Sequence, residues 1–383
     1  VLLLTVRGLP TWVVLLGLYA LSRGISTGML AAAYFLSHGW SLANVDGSPG
    51  FIGFLVSWDG KRYERIAEEG YPTHLPLNGD GSVAKNNWAF LPLFPAIVRG
   101  VTALGLQPAV ACVLVAVFFG FAATVALHRL LLPKFGPKAA LWGALFFCFG
   151  PMSFMLQVAY AEGVFLSFMF CALGALAARR YLLMIPFAVG AAFAHPGAIA
   201  LAAALGIHML LRLRERFPVR ERIAAGVALV VITVAGFAWP VVASVVTGNP
   251  SAYFDSELGW WRDYLSVAHF LPFTPWFIFA GHYWGMVGVA LVILVIGAFA
   301  WWLTRPSTRV LGPDLIGYTA SYAAYLVAVF LPQQSLFRML LPLSPLLGAP
   351  VLSRTPRSRR ITLAVLVALQ PIAILLLWVI WPP

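Results

Sequence analysis

Residues Phe54–Pro72 read FLVSWDGKRYERIAEEGYP, and seven of the nineteen are charged. The spacing predicts a short amphipathic helix. Asp59 is a candidate N-cap, because a short carboxylate side chain accepts from the free N–H groups of the first turn. Asp59, Tyr63 and Ile66 fall on one face at i, i+4 and i+7, whereas Lys61, Glu64, Arg65 and Glu68 point elsewhere. Gly70 suits the stop, and Pro72 prevents continuation.

The sequence on either side is very different. The 383 residues are 61% hydrophobic and 10% charged, against about 25% charged in a soluble domain. Mean hydropathy is +0.89. Runs such as Ala109–Leu127 and Ile361–Trp381 reach the ~20 apolar residues a bilayer core requires. The expected fold class is therefore an all-α polytopic membrane protein in a single domain, 1–383. Trp58 and Tyr71 suit a membrane interface, so the charged helix is expected on the bilayer surface. The net charge of +12 does not call for nucleic acid, because the arginines cluster in short loops between apolar runs. Cys112, Cys148 and Cys171 lie inside apolar runs and read as small core residues. Pro10–Leu36 is too long for the apolar stretch of a signal peptide, and a few residues are expected before Val1.

Short basic loops face the cytoplasm. Arg212–Arg222 holds five arginines and Arg354–Arg360 four. Taking these and Arg7 as inside, the chain threads as about eleven transmembrane or re-entrant helices. The large first extracytoplasmic loop is 38–88 and the second outer loop 247–274. Ala89–Gly105 is expected to re-enter rather than cross. Ala139–Gln157 and Leu336–Leu352 are expected as single spans, and Tyr181–Ala194 with Gly197–Leu211 as a hairpin tipped by His195–Pro196. This threading brings Asp59, Glu162, His195, Gln333, Gln334 and Arg338 to the outer face.

The pair WDGKRYERIAEEGYP and NNWAFLPLFPAIVR (Asn86–Arg99) resembles the PIG-V family, the GPI mannosyltransferase 2 type. AYAEGVF at Ala159–Phe165, AHPGAIALAAAL at Ala194–Leu205 and FRMLLPLSPLL at Phe337–Leu347 continue the resemblance, which covers residues 50–350. It departs at His195, where the family pattern would carry a stronger base. The resemblance implies a GT-C-type glycosyltransferase fold and mannose transfer from polyprenyl-phosphate-mannose to a lipid-linked acceptor. It also implies that an aspartate in the first outer loop, here Asp59, is catalytic. The Ala/Gly/Arg-rich, Lys-poor composition points to a high-GC bacterium, so a bacterial mannolipid or another glycolipid is the expected acceptor rather than a GPI anchor.

Inverting transfer requires a base for the attacking hydroxyl, the expected role of Asp59. The leaving lipid phosphate requires a fixed cation, for which Arg338 is the candidate; a snorkelling anchor is its alternative. His195 is expected either to add a second donor to the phosphate or a sugar hydroxyl, or to be structural. Glu162 is an acidic residue embedded between long apolar runs. It is expected to bind sugar hydroxyls, to pair with Arg338 or His195, or to serve as the base. Tyr160, Tyr63, Trp58 and Gln334 complete the expected sugar and acceptor contacts, Tyr160 by stacking on a sugar ring. Lys61, Arg62 and Arg65 are expected to hold an anionic phospholipid acceptor or simply to adhere to headgroups. Trp260 and Trp261 are a sugar wall or, more simply, an interfacial belt. No cofactor or metal is expected, as the sequence carries neither a Gly-rich phosphate loop with its Lys nor a His/Cys ligand cluster. The rival readings are a transferase of another lipid-linked sugar, a lipid-linked sugar flippase and a non-catalytic subunit that kept the fold. A flippase would show paired broken helices in two repeated halves, and no internal repeat is present.

Overall fold

The computed structural model describes residues 9–37, 50–215, 217–265 and 270–381. Arg7, the 38–49 part of the first outer loop, Arg216 and residues 266–269 of the second loop lie outside them. The described residues are all-helical apart from an isolated bridge between Leu77 and Val83. In chain order the helices are α1 (Thr11–Leu36), α2 (Gly50–Leu55), α3 (Asp59–Glu69), α4 (Leu93–Thr102) and α5 (Pro108–Phe149). They continue as α6 (Glu162–Ala177), α7 (Tyr181–Ala194), α8 (Ile199–Arg212), α9 (Val219–Thr247) and α10 (Ala252–Trp261). The last five are α11 (Pro275–Thr304), α12 (Gly312–Val329), α13 (Leu336–Met339), α14 (Pro350–Ser353) and α15 (Pro356–Ile374).

This is an integral membrane protein. Among the described residues five helices are long and apolar enough to cross a bilayer: α1, α5, α9, α11 and α15 with its extension to Ile380. Shorter apolar helices include α4 and α6–α8. α4 has ten residues, or about 15 Å at 1.5 Å per residue, half a hydrocarbon core. It therefore fits the re-entrant reading.

Two expected spans are corrected. Ala139–Gln157 is not one helix: α5 ends at Phe149, Gly150 and Pro151 follow, and a 3₁₀ turn covers Ser153–Leu156. The 42 residues of α5 themselves bend at Gly136 (φ 76°, ψ 169°), between Pro133 and Pro137. Leu336–Leu352 is likewise broken into α13, a 3₁₀ run at Leu341–Gly348 and the start of α14. Pro342, Pro345 and Pro350 each lack an N–H, and each ring crowds the preceding turn, so a continuous α-helix cannot form.

The chain divides into two compact units. The first takes residues 1–68, 94–174 and 334–383. Here α1 lies against α5 through a buried polar seam. Tyr19 Oη is 2.9 Å from Val117 O and 3.2 Å from Leu156 O. Arg23 donates to Ser153 O at 2.5 Å and Cys148 O at 2.9 Å, so its charge rests on carbonyls where α5 ends. Gln370 of α15 donates to Ser26 and Ser153. α6 approaches α5 at Gly163, where a Cβ would lie 2.9 Å from Ala116 O and 3.0 Å from Gly120 N. Both neighbours are backbone and cannot swing aside. Gly163→Val is therefore expected to cost about 1–3 kcal/mol, read as a lower midpoint of thermal unfolding in detergent.

The second unit takes residues 69–93 and 175–333. Its core joins Trp88, Leu91, Trp239, Ala243 and Ala252, with Tyr71 packed against them. The Trp88 indole donates to Pro72 O at 2.9 Å, and the Trp239 indole to Trp88 O at 3.1 Å. Asn86 Oδ1 accepts from Trp88 N, capping the 3₁₀ turn at Asn87–Ala89. The Asn-Asn-Trp run is thus part of a packed core. The expected hairpin is present as α7 and α8. It closes at its basic end through Arg212, which donates to Tyr181 Oη (2.7 Å) and Glu221 (2.5 Å), while His208 bridges Tyr181 and Asp314.

Candidate active site

The corner between α2 and α3 is backbone-driven. α2 ends at Leu55, and Trp58 takes a left-handed conformation (φ 61°), which for a bulky residue costs of order 1–3 kcal/mol. Two indole hydrogen bonds hold it: Trp58 Nε1 donates to Trp378 O at 3.0 Å, and Trp378 Nε1 donates to Phe54 O at 3.1 Å. Asp59 follows as the first residue of α3. Gly60 is needed next, because a Cβ there would sit 3.1 Å from the Cβ of Ala159. Ala159 N in turn donates to Leu55 O at 3.0 Å, so the Trp-Asp-Gly corner and the AYAEG stretch are held together.

α3 buries the face read from its periodicity. Gly60, Tyr63, Ile66 and Ala67 are buried, and Tyr63 meets Phe94 edge-on at 5.1 Å. Arg99 of α4 closes the far end, donating to the carbonyls of Ala67 (2.6 Å) and Glu68 (3.1 Å). A cation on the last carbonyls is what a helix C-terminus favours.

Three distant segments then meet. Arg338 Nη2 is 2.7 Å from Asp59 Oδ2, across 279 positions of sequence. Arg338 Nη1 is 3.2 Å from Glu162 Oε1, across 176 positions. The three side chains are 14%, 16% and 7% exposed for Arg338, Asp59 and Glu162. Tyr160 lies beneath: its ring centroid is 4.9 Å from the Arg338 guanidinium carbon, and its hydroxyl accepts from Asp59 N at 3.3 Å. Burial holds the Tyr160 phenol well above its usual range, so it stays protonated. Arg338 Nε is also buried and has no hydrogen-bond partner among the described residues. One guanidinium thus serves two carboxylates, and with both ionised the cluster carries a formal charge of −1.

The other expected site residues are placed as follows. Tyr160 changes role: its ring is fully buried between Arg338 and Trp378, so no face is open for a sugar, and it supports the cluster instead. Arg338 is an ion-pair partner in this structure rather than a snorkelling anchor. Trp58 is engaged by Trp378, and Lys61 and Arg62 are half-exposed on α3. His195 belongs to the second unit. Its Nδ1 accepts from Gly197 N at 2.9 Å and caps the 3₁₀ turn that opens α8. Also in the second unit, the Trp260 ring packs on Phe90 and Lys85, and Trp261 on Phe270. Among the described residues no three His, Cys, Asp or Glu side chains gather as metal ligands would.

The segment carrying Arg338 also walls an apolar cavity of about 740 Å³ within the first unit. Gln334 and Phe337 line it together with Phe147, Ser344, Ala373 and Trp381. The sequence reading assigned no role to Arg99 or Trp378. Arg99 had a signal, as a lone cation inside an apolar segment; Trp378 had none, as it reads like any interfacial tryptophan.

Comparison with known proteins bears on this arrangement. Residues 35–216 match the family described as mannosyltransferase (PIG-V). GPI alpha-1,6-mannosyltransferase 2 of Mus musculus is 35% identical over 142 residues, covering 34% of this chain and 27% of that protein. The Homo sapiens protein of the same name is 33% identical over 155 residues, covering 37% and 29%. The matched region thus spans little more than a quarter of these relatives. A crystal structure of the Archaeoglobus fulgidus oligosaccharyltransferase aligns over 90% of this chain and 52% of its own, at 12% identity and a TM-score of 0.47.

Proposed function

We propose that this chain, which matches the PIG-V mannosyltransferase family over residues 35–216, belongs to that family and is a membrane glycosyltransferase of GT-C type acting at the extracytoplasmic face. It takes mannose from polyprenyl-phosphate-mannose and delivers it, with inversion, to a lipid-linked acceptor. The observation that carries the reading is the buried Asp59–Arg338–Glu162 cluster, whose arginine sits on the segment that walls the apolar cavity. A charged head and a long hydrocarbon tail need such a pairing of surfaces.

The acceptor hydroxyl oxygen attacks C1 of the mannosyl group, and the bond from C1 to the phosphate oxygen breaks. Asp59 takes the hydroxyl proton. Arg338 steadies the charge growing on the polyprenyl phosphate as it leaves. Glu162 holds the guanidinium from the other side and, in this reading, takes a sugar hydroxyl. Lys61 and Arg62 on the half-exposed face of α3 suit an anionic acceptor headgroup. Gln334, on the same segment as Arg338, is the candidate for a further polar contact. The tail of the donor suits the cavity, which is lined by hydrocarbon along most of its wall.

The test is mannosyl transfer from radiolabelled polyprenyl-phosphate-mannose by the purified protein, with membrane lipid extract as acceptor. A labelled glycolipid supports the reading and identifies the acceptor. No transfer from mannose donors, but transfer from another polyprenyl-linked sugar, overturns the sugar and keeps the enzyme class. A further prediction concerns the tail. Ala373→Phe fills part of the cavity and is expected to raise KM for a long-chain donor about tenfold, since each buried CH₂ contributes about 0.8 kcal/mol. The kcat value and the KM for a short-chain donor should change little, which steady-state kinetics with two chain lengths would check.

A further inference from the structure

We propose that Trp378 is a positioning residue for Asp59, acting from the C-terminal end of α15. The inference rests on the reading of Asp59 as the base. After Ile374 the helix continues as a π turn, Leu375–Ile380, and Trp381 N reaches back five residues to Leu376 O at 2.9 Å. Such wide turns are rare and recur at functional sites. Here the turn presents a tryptophan with no exposed surface, which meets the Asp59 corner from two sides.

On one side the backbone corner is clamped. Trp378 donates its indole N–H to Phe54 O and accepts the Trp58 indole at its own carbonyl. A single residue thus holds both ends of the Phe54–Trp58 turn. Without it, Trp58 can leave its left-handed conformation (φ 61°), and Asp59, the next residue, turns with it. On the other side the Trp378 ring lies against Tyr160, with centroids 5.5 Å apart. Tyr160 supports Arg338 and accepts the Asp59 N–H, so the same indole also backs the partner of the carboxylate. Phe54 and Phe154 pack edge-on against Trp378 at 6.3 and 6.0 Å and fix its plane. None of these groups touches a reacting atom. Their effect is to place the carboxylate, and a base displaced by a fraction of an ångström from the attacking hydroxyl loses rate rather than substrate affinity.

Two arms test the inference. In the first, Trp378→Phe, Trp58→Phe and the double variant are compared in mannosyl transfer. Each single change is expected to lower kcat about tenfold with the donor KM within about twofold, and the double variant to be no slower than the slower single one. Strictly multiplicative losses, or a loss carried by KM, overturn it. The second arm needs no activity. Asp59→Cys is made in a background where Cys112, Cys148 and Cys171 are replaced by Ala, and its labelling rate with a polar maleimide is measured with and without Trp378→Phe. Loosening the clamp is expected to speed labelling about fivefold or more while leaving a control thiol at Glu68→Cys unchanged. Equal rates at position 59 overturn the proposal, even if the protein transfers no mannose and the functional reading itself has failed.

Discussion

Asp59→Asn is expected to lower mannosyl transfer by about 10²–10⁴-fold, the usual contribution of a positioned base. The amide has the shape of the carboxylate and can still meet Arg338 Nη2, but it cannot accept the proton of the acceptor hydroxyl. Stability should change little. Glu162 remains on the guanidinium, so the cluster moves from a formal charge of −1 to zero, and no buried charge is left alone. Transfer rates and thermal unfolding of the same preparation check both halves of the statement. Equal transfer by wild type and Asp59→Asn would make Asp59 an organiser of the α3 start and pass the role of base to Glu162.

Arg338→Gln should be the most damaging single change. It leaves two carboxylates facing each other in a largely buried site with no cation between them. Removing one partner of a buried pair costs about 3–5 kcal/mol, because the remaining charge stays out of water. On the proposed reaction, losing the cation that meets the leaving phosphate is expected to cost a further ~10²–10³-fold in kcat. Loss of activity could then be put down to loss of fold. The triple variant Asp59→Asn, Glu162→Gln, Arg338→Gln separates the two, since its cluster is uncharged and hydrogen-bonded. It is expected to recover most of the unfolding midpoint lost in Arg338→Gln and none of the transfer. Arg338→Lys should fall between, as an ammonium keeps the charge without the two-pronged geometry that reaches Oδ2 and Oε1 together.

The same geometry sets an order of events. A phosphodiester donor brings one more negative charge to a cluster already formally at −1. Arg338 Nε is buried, so the guanidinium can meet it only by giving up part of its hold on a carboxylate. If Asp59 is the one released, it is free to take the hydroxyl proton once the donor is bound.

Much of the frame could be read locally. Membrane residence follows from composition, because no other solvent tolerates apolar runs of this length. The buried face of α3 follows from its periodicity: the sequence placed Tyr63 and Ile66 together, and both are buried. The α7–α8 hairpin and the shortness of α4 follow from length and proline position. The expected spans failed at Ala139–Gln157 and Leu336–Leu352, where hydropathy stays high while Gly150–Pro151 and three prolines break the backbone. Hydropathy reports where a segment dissolves, and only hydrogen bonding decides whether it is a helix.

The site divides in the same way. Asp59, Glu162 and Arg338 could each be named from sequence, because an ionisable residue beside apolar runs is costly and stands out. That they form one cluster could not, since a lone arginine in FRMLLPL reads alike as an anchor or as a partner. Tyr160 read as a stacking platform and proved to be buried support. Trp378 carried no signal in the sequence, yet its indole and carbonyl hold the corner before Asp59. Local chemistry is written in composition and spacing. Which residues meet across 279 positions is set by the packing of α3, α6 and α13, and it leaves no trace in any single stretch of the chain.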